Sequence, residues 1–189
     1  MDAAEQLFGL NGFAHVSIDE ITARAGVAKG TFYNHFADRI DIANHIALEI
    51  RNELRARIGA IKSISSDPAR HLAIAICLFL LLAVEQPNRA LILVSLMRDP
   101  TDVNSSVNAP IRLTLQNGEA SGRFRLASIE AAVIMVIGIV SAGIQNLIGQ
   151  PGEDPSSRIA KLVVHALRSL DLDWDDAHQV AAETVPSCT

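Results

Sequence analysis

The chain has 189 residues, 49% of them hydrophobic and 20% charged, with a formal net charge of −5. That is enough apolar material for a sizeable core in one domain or two small ones, and the acidic balance argues against a protein that coats nucleic acid nonspecifically. Cys77 and Cys188 lie too far apart to suggest a secretory disulfide framework, so a buried packing thiol and an exposed one in the tail are expected. Asp2 and Glu5 stand where a signal peptide would be positive.

In chain order, the first predicted helix covers 2–11, with Ala4, Leu7 and Phe8 on its core face, and Asn11-Gly12 closes it. Ser17 and Glu20 have the spacing of a capping box. Ile18, Ile21 and Ala25 continue an apolar face, and Gly26 sits where a helix ends in a left-handed residue. Val27 is placed to plug the corner before a second short helix. In that helix Phe32 and Phe36, four apart, can face the core, leaving Lys29, Thr31, Tyr33, Asn34 and His35 to point elsewhere. Two short helices joined by such a turn form a helix-turn-helix. Asp38 caps a fourth helix reaching about Ile58, and Arg51, Arg55 and Arg57 give its second half a basic face. A break at 63–68 precedes an apolar helix over 69–85, and Pro87 opens a helix ended by Asp99-Pro100. Residues 101–109 read as a polar loop, and a helix from Pro110 to Gln116 should end at Gly118. A helix over 128–148, a linker over 150–157 (QPGEDPSS), a strong helix over 157–170 and a weaker one over 175–184 complete the chain. There is no strand pattern and no internal repeat, so the fold class is all-α. The runs Leu72–Val84 and Ala131–Ile144 are 13 and 14 residues long, against about 20 for a bilayer span. They read as buried helices, and no membrane partner is expected.

The stretch from Gly12 to Ile42, GFAHVSIDEITARAGVAKGTFYNHFADRIDI, resembles the DNA-binding region of the tetracycline-repressor (TetR) family, most specifically in AGVAKGTFYNHF over Ala25–Phe36. The resemblance implies an N-terminal three-helix DNA-binding domain, residues 1–46, and a C-terminal helical effector-binding and dimerisation domain, residues 47–189. It implies DNA contacts from Ser17, Lys29, Gly30, Thr31, Tyr33, Asn34, His35 and Arg39. Three departures stand out. Val16 replaces the usual threonine, Ala28 replaces a serine and removes a hydroxyl from the start of the recognition helix, and Arg39 replaces a lysine. A guanidinium there could engage phosphate bidentately. The family's basic N-terminal turn is missing, because Met1 falls within the first helix. Residues 1–46 hold three Lys/Arg (Arg24, Lys29, Arg39) against six acids, so any positive surface must be local.

In the last strong helix Ile159, Leu162, Val163, Ala166, Leu167 and Leu170 form one apolar stripe, with Arg158, Lys161 and Arg168 on the other side. The preceding helix is apolar nearly all round. Together they are expected to build a homodimer interface, with Ile137 and Ile144 contributing. The middle helices are implied to enclose a small, largely apolar effector, with Cys77, Ser95, Asn108, Gln116 and Ser141 as sparse polar contacts. The six histidines show no metal spacing, and there is no phosphate loop or nucleophile elbow. No catalytic residue, metal or cofactor is therefore expected. The reading is a cytoplasmic, homodimeric, ligand-responsive repressor bound to a double-stranded DNA operator. Its competitors are a helical interaction module without DNA binding and, further off, an all-α enzyme.

Overall fold

The computed structural model describes residues 1–62, 65–96, 108–150, 152 and 154–188. Ten α-helices and one short 3-10 turn make up the described chain, with no strand among the described residues. Helices α1 (Asp2–Asn11), α2 (Ile18–Ala25) and α3 (Lys29–Tyr33) form the head. The 3-10 turn Phe13–His15 links the first two. Their small core is Phe8, Phe13, Val16, Ile21 and Phe32, joined by Ala4 and Leu7. Val27 does not plug the corner. It is 43% exposed, because the turn is closed by its backbone, with Gly26 at φ 68° and Val27 N–H donating to Thr22 O.

Helix α4 (Arg39–Lys62) is 24 residues long and runs unbroken from head to body, starting at Asp38, whose carboxylate accepts from Asp41 N–H at 2.8 Å. Helix α5 (Pro68–Glu85), capped by Asp67, is the centre of the body. It packs on α4, α6 (Pro87–Leu96), α7 (Ala109–Ala120), α8 (Ile129–Gly149), α9 (Pro155–Arg168) and α10 (Trp174–Cys188). The end expected for α6 at Asp99-Pro100 and the loop over 101–107 lie outside the described residues. At 18 and 21 residues, α5 and α8 exceed the apolar runs read from the sequence and are long enough to cross a membrane. Helices on every side of α5 account for its apolarity without one.

Three local details differ from expectation. Gly118 lies inside α7, where a Cβ would meet the Phe124 ring at 2.0 Å. It is a close-packing position and does not end the helix. Arg158 does not face solvent. It is buried and donates to the carbonyls of Asn146 and Gln150, each at 2.7 Å, supplying partners to the orphan C-terminal carbonyls of α8. Cys188 is buried in α10 against Cys77 of α5, and a hydrogen bond between the thiols, with burial, pushes the Cys77 pKa up.

The α9 stripe also turns the other way from expectation. Ile159, Val163, Ala166, Leu167 and Leu170, with Ile137 and Ile144 of α8, are almost fully buried within the single chain. Helices α5, α8 and α10 already cover them. Of the eight expected interface residues only Leu162 reaches the surface, where it joins Met135, Gly138, Ile139, Ala142 and Lys161 around an open groove between the outer sides of α8 and α9. A Cβ added at Gly138 would meet nothing within 4 Å, whereas one at Gly143 would meet Leu80 at 2.6 Å. Both glycines line the groove, Gly138 at an open position and Gly143 where Leu80 and Leu162 close in.

Candidate nucleic-acid interface and ligand cavity

The helix-turn-helix is held by local chemistry. Ser17 Oγ accepts from Glu20 N–H at 3.2 Å, and Ser17 N–H donates to the Glu20 carboxylate at 2.7 Å. This reciprocal cap fixes the start of α2 and occupies the Ser17 hydroxyl, which also donates to Glu20. Ala28 gives α3 no side-chain cap. Phe32 is the anchor, buried and stacked at a tilt on Phe36 with ring centroids 5.5 Å apart.

Around that anchor Lys29, Gly30, Thr31, Tyr33, Asn34 and His35 are all exposed, Tyr33 at 52%. The structure therefore gathers six of the eight sequence-predicted DNA contacts on the outer surface of one short helix and the turn after it. Ser17 stands apart in its cap. Arg39 does too: its Nη1 donates to Ala14 O at 3.0 Å and Val16 O at 2.9 Å, and its guanidinium lies 4.7 Å from the Phe13 ring centroid. Arg39 clamps the loop before α2, so the bidentate phosphate geometry is not the one it adopts.

The head's other cations are engaged as well. Lys29 Nζ lies 2.7 Å from Asp19 Oδ1, and that carboxylate raises the lysine pKa. Arg24 donates twice to the Gln6 side-chain oxygen, at 3.1 and 2.8 Å. The outer surface of α3 is thus polar and aromatic with one latched lysine, and does not form an open basic field.

In the body, a cavity of about 360 Å³ opens between α4, α5, α7 and α8, within the roughly 300–1,000 Å³ range of small-molecule sites. Leu72, Ile76 and Phe79 line one wall and Val136, Ile137 and Val140 another. Of the five polar contacts expected from sequence, only Asn108 lines it. Cys77 faces Cys188, Ser95 and Gln116 are exposed, and Ser141 lies one residue past the wall. The sequence reading missed Arg51, Arg55 and Thr114 as lining residues. The signal was available for the arginines, as the basic stretch of α4, but which way that stretch faces depends on the packing of α5 and α7.

Head and body meet at more than α4. Helix α1 packs on α6, closely enough that a Cβ at Gly9 would meet Asn88 at 2.2 Å. Arg89 of α6 donates to Glu53 of α4 at 2.7 and 3.0 Å, while its Nε lies 3.4 Å from Glu5 of α1 without hydrogen-bond alignment. Burial raises the Glu5 pKa, and the Arg89 hydrogen bond lowers that of Glu53.

Comparison with known proteins agrees with this architecture. Residues 1–46 match the family described as bacterial regulatory proteins, tetR family, and residues 67–183 match the tetracyclin repressor-like C-terminal domain. A curated relative, the putative mycofactocin biosynthesis transcriptional regulator MftR of Mycobacterium tuberculosis, is 30% identical over a stretch covering 37% of this chain and 44% of that protein, less than half its length. Among solved structures, RolR in complex with resorcinol superposes with a TM-score of 0.74 at 21% identity, covering 100% of this chain and 93% of that one. FadR from Bacillus subtilis in complex with stearoyl-CoA gives 0.69 at 21% identity, covering 89% and 96%. At such identities the likeness concerns the fold, while the C-terminal family match alone covers more than half of the residues. The chain belongs to the tetR family of bacterial regulatory proteins.

Proposed function

We propose that the protein is a homodimeric transcriptional repressor, with residues 1–46 binding an operator and residues 47–189 dimerising and binding a small effector. The observation that carries this reading is the surface of α3, where six polar, aromatic or small residues stand exposed around the buried Phe32. A monomer gains nothing from exposing Tyr33 beside Thr31, Asn34 and His35, whereas a DNA groove can use all four. In a dimer the two α3 helices would enter major grooves about one helical turn apart, on the order of 34–36 Å.

The open groove of α8 and α9 is the surface we assign to the second copy. Its apolar residues are only partly covered by the described residues, and Gly138 permits close approach of another helix. The cavity is the effector site we favour. RolR and FadR, solved with resorcinol and with stearoyl-CoA, support a ligand-responsive reading. An effector that favours a form with wrongly spaced heads lowers operator affinity by its differential affinity for that form. Nothing in this scheme calls for catalysis, and a DNA-bound regulator belongs in the cytoplasm. A mobility-shift assay with the DNA upstream of the protein's own gene tests it: retarded DNA at nanomolar protein is expected, and no preference over unrelated DNA would sink the reading.

A further inference from the structure

The walls of the cavity differ in kind. Those from α5 and α8 are aliphatic or aromatic, whereas α4 contributes Arg51 and Arg55, four residues apart on one helix. Arg51 is half-buried, and burial, with Arg55 beside it, lowers its guanidinium pKa. Among the described residues neither arginine forms an ion pair. Arg55 makes one long hydrogen bond, 3.4 Å to Asn52 Oδ1. Like charges at this spacing repel, and an apolar wall deepens the penalty by removing water from the charged form. Among the described residues, half-buried Arg51 and the more exposed Arg55 thus stand without a counter-charge at the edge of an apolar hollow, which disfavours the empty protein. They become favourable once an anion sits between them.

We propose that the cavity takes an organic carboxylate, with its carboxylate on Arg51 and Arg55 and its apolar body against Leu72, Ile76, Phe79 and Val136. This assignment rests on the effector reading above and narrows it to one class of ligand. The guanidinium fork matches both oxygens of a carboxylate, which an alcohol of the same shape cannot reproduce.

Calorimetric titration of the full chain with octanoate and with 1-octanol separates head from tail. Octanoate should bind roughly ten-fold or more tightly than octanol, and Arg51→Gln or Arg55→Gln should remove roughly that factor for octanoate while leaving octanol unchanged. The free Arg51→Gln protein should melt no lower than the parent, since it loses an unpaired charge, and this also verifies its fold. Should either glutamine variant fail to fold, the corresponding lysine variant, which keeps the charge and loses the fork, should give a partial loss. Equal binding of the two probes, undiminished octanoate binding in the arginine variants, or no binding of either probe overturns the assignment. The titration contains no DNA. Octanoate that binds through the arginines without altering operator affinity would leave this assignment standing and count against the ligand-controlled switch.

Discussion

Helices α3 and α9 are both amphipathic, yet they turn their apolar residues to different ends. Helix α3 buries one anchor, Phe32, and exposes its polar and small residues together, so its outer surface is what the head offers a partner. Helix α9 turns its stripe, all but Leu162, inward against α5, α8 and α10. The surface left for a partner is then the less conspicuous side, where Leu162 and Lys161 meet Met135, Ile139 and Ala142 of α8. Periodicity shows which side of a helix is apolar. It does not show whether that side is covered by the same chain or by another.

Substitutions can sharpen that contrast. Val163→Glu, at a fully buried position, should cost roughly 3–5 kcal/mol by placing an unpaired charge in the core. It should reduce helical circular dichroism and the melting temperature; a folded dimer carrying Glu at 163 would return the stripe to the interface. Ile139→Glu, on the open groove, should leave the fold intact and convert dimer to monomer in sedimentation. Persistence of the dimer there would move the interface elsewhere.

The head offers a parallel test with smaller effects. Arg39→Ala should lower stability by about 1–2 kcal/mol through loss of its hydrogen bonds to the Ala14 and Val16 carbonyls. Tyr33→Ala should weaken operator binding at unchanged melting temperature. Lys29→Ala should make the salt dependence shallower by about one unit if the lysine exchanges Asp19 for a phosphate. An unchanged slope and affinity would confine Lys29 to its latch with Asp19.

The smallest expected effect lies at the base of the body. Arg123 donates to Asp67 at 2.9 and 3.1 Å and to both carboxylate oxygens of Asp176, joining the starts of α5 and α10. That hydrogen bonding holds the Asp176 carboxyl below its ordinary pKa. A carboxyl whose pKa is lowered on folding contributes stability above its unfolded value and loses it as pH falls through the folded one. Acid below about pH 4 should therefore loosen α10 by about 1 kcal/mol or less, and Asp176→Asn should flatten that part of a pH–stability curve.

The features legible in the sequence were those set by local chemistry. Ser17, Glu20 and Gly26 fix the helix-turn-helix through contacts three to five residues apart, and Asp38, Pro87 and Pro110 announce helix starts in the same way. What was not legible depended on contacts far along the chain. Gly118 looks like a stop until Phe124 is seen filling the space beside it. Arg158 looks solvated until the C-terminus of α8 arrives beside it, and Arg39 looks like a phosphate ligand until the Phe13 loop folds under it. The cavity arginines belong to the same class. Their charge is plain in the sequence, but their orientation is settled by α5 and α7.

The contact of α1 with α6, and Arg89 reaching both Glu5 and Glu53, bear on how motion passes through the molecule. A head fastened by α4 alone could swivel about that helix as on a spindle. Fastened a second time through α6, it is held as by a bracket, and swivelling is opposed. A sliding of α4 past α6 is one way left to re-aim α3, and the cavity lies against α4 without including α6 in its lining. Because the second fastening is partly ionic, with Glu53 exposed, its stiffness should fall somewhat with added salt, making the angle between the two heads of a dimer more variable at high ionic strength even with the cavity empty.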